Sequence, residues 1–254
     1  MFSKKITIII LFLNLLLVSC VSKQKILYIQ DTVTNNSNNS FELKLEPDDM
    51  LLINVTSENP EIAEPYNLKS VTLQNNTEED AATRKQLTYL IDKNGYIDFP
   101  IVGKIKIGGL TKEQATNEIQ NILKDHVKDA LVTIRLVNFK ITVLGEVQKP
   151  GTYTIKSERI TLLEALGMAG DLTIYGKRSN VLLIREQNGE KITHRIDLTK
   201  SSFFDSPYYY LAQNDVLYVE PNGTKVNSSA IGPNLTVGIS ALSLIVTIIA
   251  LTTR

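Results

Sequence analysis

The chain has 254 residues, with 27 basic side chains against 27 acidic ones, 43% hydrophobic content, no tryptophan and a single cysteine. That length holds one or two modest domains. Lys and Arg are spread along the chain, which argues against a nucleic-acid surface because such surfaces need clustered cations, and one cysteine excludes an internal disulfide.

Residues 1–19 read as a lipoprotein signal peptide: Lys4 and Lys5 precede an apolar run over 6–18, and Ser19 is the small residue a peptidase needs. Leu17-Val18-Ser19-Cys20 resembles a bacterial lipobox, which makes Cys20 the acylated mature N-terminus and membrane lipid its partner. Removal of Lys4 and Lys5 leaves 25 basic residues to 27 acidic, a net charge of about −2. Cys20 is followed by Val21, Ser22 and Lys23, with no adjacent aspartate. By resemblance to sorting rules this implies the inner leaflet of the outer membrane. Residues 20–40 read as a lipidated tether, too polar to bury much apolar area. Within it, Ile26-Leu27-Tyr28-Ile29 is consistent with either a short docking strand or plain tether.

The first folded region spans 41–138. Phe41, Leu43 and Leu45 alternate with polar residues up to Pro47-Asp48-Asp49, and residues 50–56 form the next strand. The polar stretch 57–86 reads as a long loop or a ragged insertion. Asn94-Gly95, between residues 89–92 and 96–99, predicts a hairpin with positive φ at both central positions. Thr111 and Gln114 form a capping box ahead of Ala115, Ile119, Ile122 and Leu123 at helical spacing, and Val132, Ile134 and Leu136 alternate as a strand.

The second region spans 139–222. A strand over 141–147 leads to a Pro150-Gly151 turn that places Gly151 in the left-handed region, and Thr161 with Glu164 caps a short helix stopped by Gly170. Residues 181–185 and 191–196 flank a second Asn-Gly pair, Asn188-Gly189, and Gln213-Asn214-Asp215 turns into a last strand. This order is β-grasp-like. Residues 223–254 read as a linker followed by a C-terminal membrane-spanning helix. Residues 235–251 give about 26 Å of largely apolar helix, and Thr236, Ser240, Ser243 and Thr247 fall within an arc of roughly 60°. The residues leave two readings open: a stave of a ring with these hydroxyls facing a lumen, or a plain tail anchor whose hydroxyls bond back to their own helix. The fold class is therefore α+β: a small mixed domain, a β-grasp-like domain and a spanning helix.

Several segments in this order resemble the Wza-like family of outer-membrane polysaccharide export lipoproteins. Residues 45–51, 92–103 and 109–111, with Pro47, Asp48, Asp49, Gly95, Pro100 and Gly103, are similar to its export domain. Residues 145–151, 161–166, 169–170 and 214–216, with Gly145, Pro150, Gly151, Gly170 and Asp215, are similar to its soluble-ligand-binding β-grasp (SLBB) domain. Asp48 and Asp171 stand where the family usually has glycine, and Asp is among the residues that tolerate left-handed backbone. The resemblance implies a ring-shaped homo-oligomer, octameric in its best-known form, that carries capsular or exopolysaccharide across the outer membrane. It also implies an inner-membrane polysaccharide co-polymerase, often a tyrosine kinase, as partner. The alternative is a periplasmic glycan-binding or scaffolding lipoprotein with a tail anchor and no pore.

Enzyme chemistry finds little support in the residues. His126 and His194 fall in different domains, no cysteine is left to join them on a metal, and no cofactor motif is present. Adjacent Asp48 and Asp49 point apart at a turn, whereas glycosidase carboxylates face each other across a sugar. Tyr208, Tyr209 and Tyr210 are candidates for stacking on sugar rings, although consecutive tyrosines more often divide between core and surface.

Overall fold

The computed structural model describes residues 26–31, 42–69, 71–72, 84–85, 87–187, 189–230 and 233–252. The first unit contains β1 (Met50–Thr56), α1 (Pro60–Ala63), β2 (Val71–Thr72), β3 (Arg84–Lys85), β4 (Tyr89–Leu90), β5 (Tyr96–Phe99), β6 (Gly103–Lys106), α2 (Lys112–Leu123) and β7 (Leu131–Leu136). β1 lies at the centre of an antiparallel sheet in the order β4-β1-β7, with Leu51, Ile53 and Val55 turned into the core. α2 closes that core through Ala115, Ile119 and Leu123, all fully buried. Each large apolar side chain so buried contributes about 1.5–3 kcal/mol. The helix begins where the capping box places it: the Gln114 amide donates to Thr111 Oγ1 (3.2 Å) and the Thr111 amide to Gln114 Oε1 (3.0 Å).

The second unit contains β8 (Lys140–Gly145), β9 (Gly151–Thr154), α3 (Leu162–Met168), β10 (Gly176–Gln187), β11 (Glu190–Ile196) and β12 (Val216–Pro221). Its five strands run in the order β11-β10-β12-β8-β9, with β12 and β8 parallel and every other pair antiparallel. α3, capped by Thr161 and Glu164, buries Leu162, Ala165 and Leu166 against this sheet. Asp215, at the entry to β12, is fully buried. It accepts from Arg185 Nε (2.9 Å), Arg185 Nη2 (2.6 Å) and the Ala212 amide (2.7 Å), so a residue read as a turn former is one half of a buried ion pair.

The expected C-terminal membrane-spanning helix is not supported: no helix among the described residues is long and apolar enough to cross a membrane. After α4 (Gly223–Ala230), α5 (Pro233–Thr252) opens on Pro233 and Asn234, and its apolar part is diluted by Gly238 and the hydroxyl residues. The roughly 26 Å of that part falls short of a hydrocarbon core of about 30 Å. Ser243 Oγ donates to the Ser240 carbonyl and Thr247 Oγ1 to the Ser243 carbonyl, both at 2.8 Å, so these hydroxyls are satisfied within the helix.

Three local expectations also change. The Asn94-Gly95 turn is made by Asp92, whose Oδ1 accepts from the Asn94 (2.8 Å) and Tyr96 (2.9 Å) amides, and Gly95 alone of the central pair takes positive φ (+84°). The strands it joins pair elsewhere, β4 with β1 and β5 with β6, because each finds a longer partner. Gly151 is not left-handed; it opens β9 opposite Val143. Of the two readings of residues 57–86 the plain loop gives way to the insertion, which holds α1 with its Asn59 cap and the pair β2–β3. Asp48 (φ +69°) and Asp171 (φ +71°) do take the left-handed conformation.

Gly145 offers a stability test. Its φ is +88°, and a Cβ there would stand 2.1 Å from the Val219 carbonyl oxygen, across the parallel pairing of β8 with β12. Gly145→Ala is expected to cost at least about 3 kcal/mol in denaturant unfolding, from clash and strain together. Gly151→Ala, with nothing within 4 Å, is expected to stay within about 1 kcal/mol of wild type.

Candidate functional site

Three residues, Val137, Asn138 and Phe139, join β7 of the first unit to β8 of the second, and Asn138 is gripped from both sides. Its Oδ1 accepts from the Met50 amide and its Nδ2 donates to the Asp48 carbonyl, each at 2.9 Å. Its own carbonyl accepts from Gln213 Nε2 (2.9 Å), and Gln213 Oε1 in turn accepts from the Lys140 amide (2.8 Å). Leu136, immediately before, packs against the cores of both units. The junction is therefore held by apolar contact and by a closed set of hydrogen bonds.

This junction gathers part of the motif set. The turn 46–49 meets the second unit here, where Glu46 feels Arg185 as an opposite charge and Asp215 and Glu186 as like charges. Burial is the larger cause and pushes the Glu46 carboxyl above its ordinary value. Pro47, Asp48, Asp49 and Asp215 are thus brought together, whereas Gly95, Pro100 and Gly103 shape the β4–β6 turns elsewhere. Gly145, Pro150 and Gly170 lie near the opposite end of the second unit, where the Lys149 amide bonds the Ala169 carbonyl (2.8 Å). Cys20 lies outside the described residues, as does the side chain of Thr236.

Beside the junction runs a cleft of about 950 Å³. One wall is β7, an edge strand of its sheet, and the other is the 156–159 loop of the second unit. Lys112, at the start of α2, forms an ion pair with Glu158 across the cleft. Arg135, Lys156 and Arg159 add positive charge to its walls, and Arg159 lies over the Tyr210 ring (5.5 Å). Such a cleft can hold a polar chain or a neighbouring surface.

The chemistry-bearing residues are all engaged structurally. His126 lies against Tyr66 (6.0 Å between ring centroids), and His194 stacks on Tyr208 (4.4 Å). Arg185 covers the Tyr208 ring as well (5.4 Å), and Tyr209 meets Tyr210 edge to face. The three tyrosines therefore form no flat platform for a sugar ring. Asp49 is 2% exposed; its Oδ2 accepts from the Glu46 amide (2.9 Å), while Oδ1 has no hydrogen-bond partner. Asn138, Arg185 and Asn67, whose amide bonds both the N–H and C=O of Val55 at 2.8 Å, carry no sequence signal that marks them.

Burial raises the Asp49 carboxyl from an ordinary 3.8 to about 6. The native state therefore holds this proton more tightly than the unfolded chain, and the stability it contributes is lost as pH rises from about 4 to 6. Asp49→Asn removes that component and keeps an acceptor for the Glu46 amide. Its denaturation midpoint, compared with wild type, is expected to gain between pH 4 and pH 7.

Comparison with known proteins agrees with this two-unit architecture. Residues 37–137 match the polysaccharide biosynthesis/export protein family and residues 139–219 match the SLBB domain. The chain is 30% identical over 171 residues to the EPS I polysaccharide export outer membrane protein EpsA of Ralstonia solanacearum, covering 66% of this chain and 45% of that protein. The EpsA of Ralstonia nicotianae is 32% identical over 136 residues, 52% of this chain and 35% of that protein. The chain thus spans less than half the length of these curated relatives. The chain therefore carries a polysaccharide biosynthesis/export domain followed directly by an SLBB domain, and it is similar to polysaccharide export outer membrane proteins.

Proposed function

We propose that the chain is an outer-membrane component that passes an exopolysaccharide or capsular polymer from the periplasm to the cell surface. The observations that carry this reading are the two adjoining family matches, 37–137 and 139–219, together with the similarity to relatives named for polysaccharide export at the outer membrane. The chain works as a passive conduit with no turnover. Acylation at Cys20 attaches it to the membrane, and a ring of identical copies encloses the path, the arrangement head-to-tail contacts reach when their rotation closes. Exposed apolar side chains of α5, among them Val237, Ile239 and Leu244, supply contacts between neighbouring tails. The partner that delivers polymer is an inner-membrane polysaccharide co-polymerase or tyrosine kinase.

Cells lacking the chain are expected to retain polymer in the periplasm and to lose it from the surface. Complementation with Asp48→Ala or His126→Ala should restore surface polymer of unchanged length by gel filtration, whereas a hydrolase would lengthen it. End-on images of the detergent-extracted protein should show rotational symmetry around a central hole; monodisperse monomers in native lipid would favour the scaffolding alternative.

A further inference from the structure

Residues 26–31 lie far along the chain from the second unit, yet they are seated on it. The Ile29 amide donates to the Leu198 carbonyl (3.1 Å), the Gln30 amide to the Thr199 carbonyl (2.8 Å), and the Ser201 amide to Asp31 Oδ1 (2.5 Å). Tyr28 and Ile29 pack against the second core. The Tyr28 hydroxyl donates to Asp171 Oδ1, and its ring lies 5.3 Å from the Arg178 guanidinium.

The seat is built for an aromatic side chain. Arg178 is only 6% exposed; its Nη atoms donate to the Thr173 (3.3 Å), Gly176 (3.1 Å) and Leu172 (3.5 Å) carbonyls, while Nε has no hydrogen-bond partner. A buried guanidinium so placed gains from an aromatic face laid over it. Asp171, held left-handed beside Gly170, presents Oδ1 to the hydroxyl at the ring's far end. Burial and the Asp171 carboxylate both push the Tyr28 phenol well above its ordinary value, so it remains a donor throughout the physiological range.

We infer that residues 26–31 form a latch: the Asp171–Arg178 seat on the SLBB domain captures this chain's own Tyr28 and sets how far the folded body can stand from Cys20. Eight residues separate Cys20 from Tyr28, a reach of at most about 28 Å. Without the latch the first backbone bond to the body is at Leu45, and the reach grows to roughly 85 Å. The seat thereby turns a slack tether into a short one. This ruler rests on the proposed acylation of Cys20; the latch does not.

Two measurements on the full-length protein separate these claims. By hydrogen exchange, the Ile29, Gln30 and Ser201 amides of wild type are expected to exchange at least about ten-fold more slowly than free chain. Tyr28→Ala should return them to free-chain rates without loosening β10 or β12, and Tyr28→Phe should give an intermediate effect. Free-chain rates in wild type, or slow exchange that persists in Tyr28→Ala, would overturn the latch. For the ruler, a donor dye on Ile174→Cys, an exposed position beside the seat, is read against acceptor lipids in vesicles. Energy transfer is expected to fall at least about two-fold in Tyr28→Ala, as the permitted distance grows. Equal transfer in both proteins overturns the ruler, and so does a Cys20 shown by mass spectrometry to carry no acyl group, while the exchange result still decides the latch.

Discussion

One peptide unit, Asn138, holds this molecule in a single arrangement. The two domain matches end at 137 and begin at 139, so a single residue lies between them. A joint that short has little conformational freedom, and the freedom left is removed by the side-chain amide bonded to the 48–50 backbone and the carbonyl bonded to Gln213. Leu136, packed against both cores, adds apolar contact beside these partly exposed bonds, so that opening the joint would expose apolar surface as well as break them. Two small domains with separate cores are thereby joined beside the cleft between β7 and the 156–159 loop.

Charge is handled differently in the two domains. Among the described residues the first has one deeply buried carboxylate, Asp49, with a single amide donor and a raised proton affinity. The second holds part-buried Arg185 against Asp215, and buried Arg178 against carbonyls and the Tyr28 ring.

Much of the local structure was legible because it rests on short-range chemistry. Both capping boxes, at Thr111 and Thr161, mark helix starts that the structure retains, and Asp48 takes the left-handed turn its side chain tolerates. Where local signals competed with longer strands they lost. Asn94-Gly95 turns the chain, but β4 found β1 and β5 found β6, so the expected hairpin partners parted. Gly151 gave up its turn geometry for a ladder bond partner at Val143. The tail was read as spanning from its apolar composition, but no helix among the described residues is long and apolar enough to cross a membrane.

By itself the sequence determined the two helix caps and the likeness to polysaccharide export proteins, because spacing and turn chemistry act over a few residues. Only the tertiary structure decided that Asn138 is a clamp, that Asp215 is half of an ion pair and that Tyr28 has a seat. Those roles depend on partners 30 to 143 residues away in the chain. No local pattern encodes which distant groups will meet; the two cores, once packed, choose them.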